Sequence, residues 1–192
     1  MRSPRIFLGV VATIISATLA VQASAGDHAY IGAKKCKMCH LKEYNSWAAT
    51  KMANAFGQLK QGAATEAKQK AGLDPNKDYT TDAKCLGCHT TGYGKPGGFV
   101  DFATTPDLAG VGCEMCHGAG GTYTQKQYMS LENKEFKKAD LVAVGLTSQI
   151  TKSTCEGCHN TNSPFVGKDY VFDFEARKTQ GTHEKIALKY QH

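Results

Sequence analysis

Apolar positions along the chain fall into runs of different character. Ile6 to Val21 is almost continuously apolar, broken only by small or hydroxylated residues, and follows a short basic stretch containing Arg2 and Arg5. This run falls short of the ~20 residues that span a bilayer. Ala23-Ser24-Ala25 comes directly after it, so residues 1–25 read as a secretory signal, with a retained anchor as the alternative. Further on, Tyr44, Ala48, Met52, Ala55 and Leu59 recur at three- and four-residue spacing. That period predicts an amphipathic helix with Trp47 at its shoulder. Gln61 to Ala71 continues helically with polar, exposed positions until Pro75 in Leu73-Asp74-Pro75-Asn76 ends it. Thr122 to Val144 reads as mainly helical and Phe174 to Tyr190 as a further helix. No segment alternates with a strand period, so residues 26–192 are expected to form one mainly α, loop-rich domain.

Composition raises a difficulty for that domain. Beyond residue 26, glycine, lysine and threonine are abundant and continuous apolar sequence is scarce, so side chains alone supply little core. Charge excludes less. The formal net charge is +6, and removing Arg2 and Arg5 leaves +4, with the lysines scattered rather than gathered into a stripe. A nucleic-acid surface with interleaved aromatic residues is therefore not expected.

The eight cysteines resolve the difficulty. They fall as Cys36/Cys39, Cys85/Cys88, Cys113/Cys116 and Cys155/Cys158, and each pair is followed at once by His40, His89, His117 or His159. C-x-x-C-H is the attachment motif of c-type haem. Two thiols about one helical turn apart form thioethers to the two vinyl groups of one porphyrin, and the adjacent histidine reaches the iron. Zinc ribbons also use paired C-x-x-C units, but their sites close with four ligands and need no histidine after every pair. Disulfides would not need one either. Four covalently bound haems then form the core that the side chains cannot, and they crowd together under sparse protein cover. Their propionates add about eight negative charges, so the apoprotein's basic balance says little about partners. The motifs begin at 36, 85, 113 and 155, with no fixed period, so a compact unit is expected rather than a repeat array. Glycines after the second motif (Gly92, Gly94, Gly97, Gly98) and around the third (Gly110, Gly112, Gly118, Gly120, Gly121) would let the backbone pass close to a flat cofactor.

Four irons have four distal faces, yet after the motif histidines only His28, His183 and His192 remain of the seven. One chain cannot supply bis-histidine ligation four times. Met38 and Met115 lie within motifs, which leaves Met52 and Met129 as candidate thioether ligands. Met52 serves either as core or as a ligand that raises the potential of its haem. His183 is favoured as a ligand over a solvated surface histidine, whereas His28 and His192 stand near the ends of the mature chain, where a neighbouring molecule's haem is within their reach.

These motifs, together with Gly32-Ala33-Lys34-Lys35, Ser46-Trp47, Leu73-Asp74-Pro75-Asn76-Lys77-Asp78-Tyr79-Thr80, Gly92-Tyr93-Gly94 and Gly110-Val111-Gly112-Cys113-Glu114, resemble the tetrahaem cytochrome c554 family over essentially the whole mature length. The resemblance implies a helical periplasmic cytochrome whose haems stack in near-contact pairs and carry electrons released by hydroxylamine oxidation. It also implies a distal histidine where this chain has Met52, another where it has Gln127 near Met129, and a C-terminal-helix histidine matched by His183. It further implies an open iron at the second-motif haem, for which Ser163-Pro164-Phe165 offers a distal cover, or else is an ordinary loop. The expected function is electron relay between a periplasmic oxidoreductase and another cytochrome, without substrate chemistry. The alternatives are reduction of nitric oxide at an open haem, and a polymeric cytochrome filament, which would be extracellular.

Overall fold

The structure, a computed structural model, describes residues 28–187; the expected signal segment and His192 lie outside them. Its helices are short: α1 (Ala33–Lys37), α2 (Leu41–Ala48), α3 (Thr65–Lys70), α4 (Ala83–His89), α5 (Glu114–His117), α6 (Lys138–Ala143), α7 (Lys152–Glu156) and α8 (Phe174–Arg177). Two 3-10 turns, Phe56–Leu59 and Pro106–Leu108, supplement them. Among the described residues the only β pairing is the isolated Thr90 to Ala109 bridge, in keeping with a mainly α, loop-rich chain.

Local chemistry starts several of these helices. The Asp82 carboxylate accepts from the Lys84 amide at 3.0 Å to open α4, and Asp173 does the same for the Ala176 amide, also at 3.0 Å, at α8. Thr151 and Thr154 form a reciprocal capping box on α7. Helices of four to eight residues do not hold themselves together in water. Tertiary anchors are needed, and one is a cluster of Phe56, Leu59, Tyr79, Leu86, Phe99 and Leu108, against which Cys85 of the second motif packs. Phe56 anchors it, with its ring centroid 5.4 Å from that of Phe99 and 5.5 Å from that of Phe102.

Three predicted helices are shorter than their apolar period suggests. The helix through Tyr44 and Leu59 stops at Ala48, and the chain resumes as a 3-10 turn at Phe56. In between, the Asn54 side chain donates to the carbonyls of Ala48 (3.3 Å) and Thr50 (3.0 Å), and Thr50 Oγ1 accepts from the Ala53 amide (3.2 Å). Side chains thus take backbone groups that a helix would use. From Thr122 to Val144 only α6 is helical, because Asn133 donates to the Gln127 and Tyr128 carbonyls and Ser130 accepts from the Glu132 and Asn133 amides. The C-terminal helix ends at Arg177, and Gly181 at φ 72° turns the chain so that the Glu184 amide reaches Ser46 Oγ at 2.9 Å. His183 therefore lies on an irregular segment tied to α2 rather than on a helix. α3 is helical as expected, but Lys68 is buried (3 % exposed), with its ammonium 2.6 Å from the Lys60 carbonyl and 5.3 Å from the Tyr79 ring centre.

Candidate haem sites

Each C-x-x-C-H sequence winds into a single α-turn. The histidine amide donates to the carbonyl of the first cysteine at 2.9 Å in the first motif (His40 to Cys36), 2.9 Å in the third (His117 to Cys113) and 2.8 Å in the fourth (His159 to Cys155). The second motif lies wholly inside α4. Residues three apart on such a turn share a face, so each thiol pair meets the geometric demand of double attachment to one flat macrocycle. None of the eight cysteines forms a disulfide. Among the described residues no group of three or more His, Cys, Asp or Glu side chains gathers to hold a metal ion, whereas a zinc ribbon needs four ligands.

Motifs distant in sequence are brought side by side. The Cys36 and Cys113 thiols hydrogen-bond to each other, as do Cys88 and Cys158, and Cys116 lies within electrostatic reach of Cys155. The motifs therefore follow one another in space as first, third, fourth and second. In the free thiols, the bond from Cys158 pulls Cys88 down to about 7 and pushes Cys158 up. Thioether formation would remove both protons.

Cys39 stands apart from the other motif cysteines. It is exposed, whereas the other seven cysteines are half-buried. The reason lies in the order of the motifs and in the local backbone. The first motif stands at one end of the series, and the third packs against it through Cys36. Cys39 falls in the turn between α1 and α2, beside Met38 at 76 % exposure, and its amide donates to the Cys36 carbonyl at 3.2 Å. At the other end of the series, Cys85 has the apolar cluster to pack against; Cys39 is outside that cluster. The turn keeps Cys39 at the spacing attachment needs, but on the rim of the molecule.

Backbone contacts hold the order of the motifs. Thr91, fully buried after the second motif, donates from Oγ1 to the Gly110 carbonyl and accepts from the Gly112 amide, both at 2.8 Å, tying the second motif to the third. Gly110 itself donates to the His89 carbonyl at 3.1 Å. Trp47 Nε1 donates to the Val111 carbonyl at 3.0 Å, and the Val111 amide to the Met52 carbonyl at 2.9 Å, joining the segment after α2 to the third motif. Gly110 has φ 99°, and a Cβ there would overlap the Ala53 carbonyl oxygen. What this glycine admits is a neighbouring backbone, not a cofactor face.

The imidazoles are oriented one by one. His89 Nδ1 is 2.7 Å from the Ala55 carbonyl and His183 Nδ1 is 2.7 Å from the Glu184 carbonyl, which makes Nδ1 the donor and leaves Nε2 as the basic nitrogen. The His159 ring stacks on buried Phe172 with centroids 4.8 Å apart. Burial lowers the His117 pKa below the usual imidazole value, helped by the nearby His183 and His40, and burial with Arg177 lowers that of His159. Both shifts favour the neutral, metal-binding form. The His117 and His183 rings are 6.2 Å apart between centroids and tilted by 30°. His40 lies 3.9 Å from the Glu43 carboxylate.

The remaining predicted ligands are dispersed. His28 Nδ1 is 2.7 Å from Thr122 Oγ1, with its ring against Gly145. Met52 and Met129 are half-buried, Met129 in a turn whose amide donates to the Gln125 carbonyl. Met115 is engaged, its sulfur accepting from the Gly92 amide at 3.3 Å. Pro164 and Phe165 line a cavity of about 350 Å³ with Ala67 and Lys70 of α3 and the adjoining Ala71.

Helical turns presenting paired thiols and a histidine, packed motif against motif with hardly any side-chain core, define a multihaem c-type cytochrome. The profile of the family described as cytochrome c554 and c-prime matches residues 35–118. Cytochrome c-554 of Nitrosomonas europaea is 34 % identical, over 94 % of this chain and 86 % of that protein. The solved reduced state of cytochrome c554 from the same organism superposes with a TM-score of 0.75 at 35 % identity, over 85 % of this chain and 89 % of that one. The chain belongs to the cytochrome c554 family: it is an electron-transfer protein with four c-type haems, one for each motif.

Proposed function

We propose that this protein relays electrons in the periplasm between an oxidoreductase and another cytochrome, along a line of haems running first, third, fourth, second. The observation that carries this reading is the approach of Cys36 to Cys113 and of Cys88 to Cys158, with Cys116 within electrostatic reach of Cys155. Macrocycles held by these neighbouring thiols would lie close to one another, and the chemistry they would supply is electron transfer from haem to haem within the protein. The eight motif cysteines carry the thioethers, Cys39 on the exposed rim among them, and His40, His89, His117 and His159 are the proximal ligands. His183 would supply a second imidazole to the iron held by His117. Two imidazoles on opposite faces of one iron, each with a metal–nitrogen bond of roughly 2 Å, bring their ring centres about 6 Å apart, and these two rings are 6.2 Å apart. Among the described residues no helix is long and apolar enough to cross a membrane.

The haems supply reversible one-electron chemistry at iron. The chain's own residues orient the imidazoles through Ala55 and Glu184, fix the spacing of the motifs through Thr91 and Trp47, and keep His117 and His159 neutral. A mass spectrum of the denatured mature protein should exceed the polypeptide mass by about 2.5 kDa, the increment of four haems. Rapid mixing with a reductant should then show all four haems filling through a common route. A mass equal to the bare polypeptide, or haems reduced independently of one another, would sink the proposal.

A second reading gives the second-motif haem an open iron that binds nitric oxide. The side chains packed around that motif, Phe56, Leu59, Tyr79, Leu86, Phe99 and Leu108, bring no imidazole or thioether to it.

A further inference from the structure

The residue after the first cysteine of each motif is Lys37, Leu86, Glu114 or Glu156. Three of these side chains have ordinary surroundings. Lys37 is exposed over the Tyr44 ring, Leu86 is core, and Glu156 is half-buried with Lys152 at 3.4 Å. Glu114 is the exception. It is 2 % exposed, and its hydrogen bonds are all with backbone amides: Gly120 at 2.7 Å, Gly32 at 2.8 Å, and Ile31 at 3.0 and 3.2 Å to its two oxygens. Since every one of these bonds is accepted, nothing in the set would take the proton of a carboxylic acid, and the group is a carboxylate. Among the described residues no lysine or arginine forms an ion pair with it. Lys34, two residues beyond Gly32, is exposed and paired with Asp107 at 2.6 Å.

The position of this charge matters more than its burial. Glu114 adjoins Cys113 of the third motif, and through Ile31 and Gly32 it grips the segment leading into Cys36 of the first. It therefore sits where the first and third motifs meet. A ferric haem carries one more positive charge than a ferrous one, so a fixed anion stabilises the oxidised state. Burial leaves that interaction weakly screened, whereas exposed Lys37 is screened by water and Glu156 by water and Lys152.

We propose that Glu114 is a potential-setting residue: its buried carboxylate holds the first- and third-motif haems at lower reduction potentials than the fourth- and second-motif haems, making the first and third the input end of the relay. Each step is the one-electron reduction of Fe(III) to Fe(II), with the electron supplied by an external redox protein. This rests on the four-haem relay above and adds a direction to it.

The test is a spectroelectrochemical titration of the holoprotein and two variants, with dithionite as reductant. Glu114→Gln should raise two of the four midpoints, each reduction becoming about tenfold more favourable, or 59 mV for one electron, and leave the other two in place. Glu156→Gln, at the same motif position but paired and half-exposed, should shift its haem much less. Four unmoved midpoints in Glu114→Gln, a uniform shift of all four, or an equal effect of Glu156→Gln would each overturn the proposal. Should Glu114→Gln fail to fold, the unaltered protein still decides. Nuclear magnetic resonance at successive potentials, with haem methyl signals assigned by their contacts to the thioether cysteines, should find the two lowest midpoints at the first and third motifs. Finding either one at the second or fourth motif would refute it. The four-haem reading itself is settled separately by the mass of the same sample.

Discussion

Met52 illustrates how one side chain can decide the electronic character of a site. Its carbonyl is fixed by the Val111 amide at 2.9 Å, so its backbone is held against the segment entering the third motif, and its side chain is half-buried. A methionine in such a place either packs or ligates. We propose that it ligates, because the three histidines outside the motifs are too few for four distal faces. A histidine–methionine iron has a higher potential than a bis-histidine one. Replacing Met52 with Ala should therefore remove the highest low-spin redox wave and create a high-spin signal in electron paramagnetic resonance. An unchanged titration and spectrum would show that Met52 only packs.

At the scale of elements, the short helices and turns act as struts whose carbonyls are lent to the haem motifs. The stretch between α2 and the first 3-10 turn gives up the Met52 carbonyl to Val111 and the Ala55 carbonyl to His89. Gly110 completes this junction at φ 99°, where any side chain would be strained and would also meet the Ala53 carbonyl. Gly110→Ala should cost about 2 kcal/mol or more, read as a lower denaturation midpoint of the holoprotein, whereas Gly94→Ala, also at positive φ but with nothing nearby, should cost less. The same junction explains what the sequence could and could not disclose. C-x-x-C-H is legible because attachment depends on neighbours within one turn, and the absence of strands among the described residues is legible because alternation is local. Helix ends were not, since apolar period carries no information about which distant group claims a carbonyl or an amide. Asn54, Thr50 and Asn133 end or prevent helices through such claims. Glu114 and Lys68 escaped for a related reason: a charged residue in a polar stretch reads as solvated until partners far along the chain, Gly32 for Glu114 and Tyr79 for Lys68, bury it. Cys39 is the converse, since its motif is as complete as the others and only the packing order leaves it exposed.

For the whole molecule the deciding quantity is the balance between irons and ligands. Of the three histidines outside the motifs, His183 lies beside His117, His28 meets Thr122 Oγ1 through Nδ1 and keeps Nε2 uncommitted, and His192 lies outside the described residues. With His183, His28 and Met52 recruited, one of the four irons is left short, and we assign the open position to the second-motif haem. The residues clustered at Cys85 and Leu86 are aromatic or aliphatic, and the chain following Cys158, which touches Cys88, runs into the Pro164–Phe165 turn. Phe165 is 51 % exposed and helps to line the cavity beside α3, so it can shield a small ligand without donating to iron. The reduced holoprotein should accordingly bind one carbon monoxide or nitric oxide per four haems, with the other three remaining low-spin. Phe165→Ala should speed both uptake and release of that ligand without changing the stoichiometry. Titration of the reduced monomer by absorbance measures the first expectation and flash photolysis the second. No bound ligand would make every iron six-coordinate and the protein a carrier alone, whereas two ligands per chain would mean that Met52 does not hold its iron.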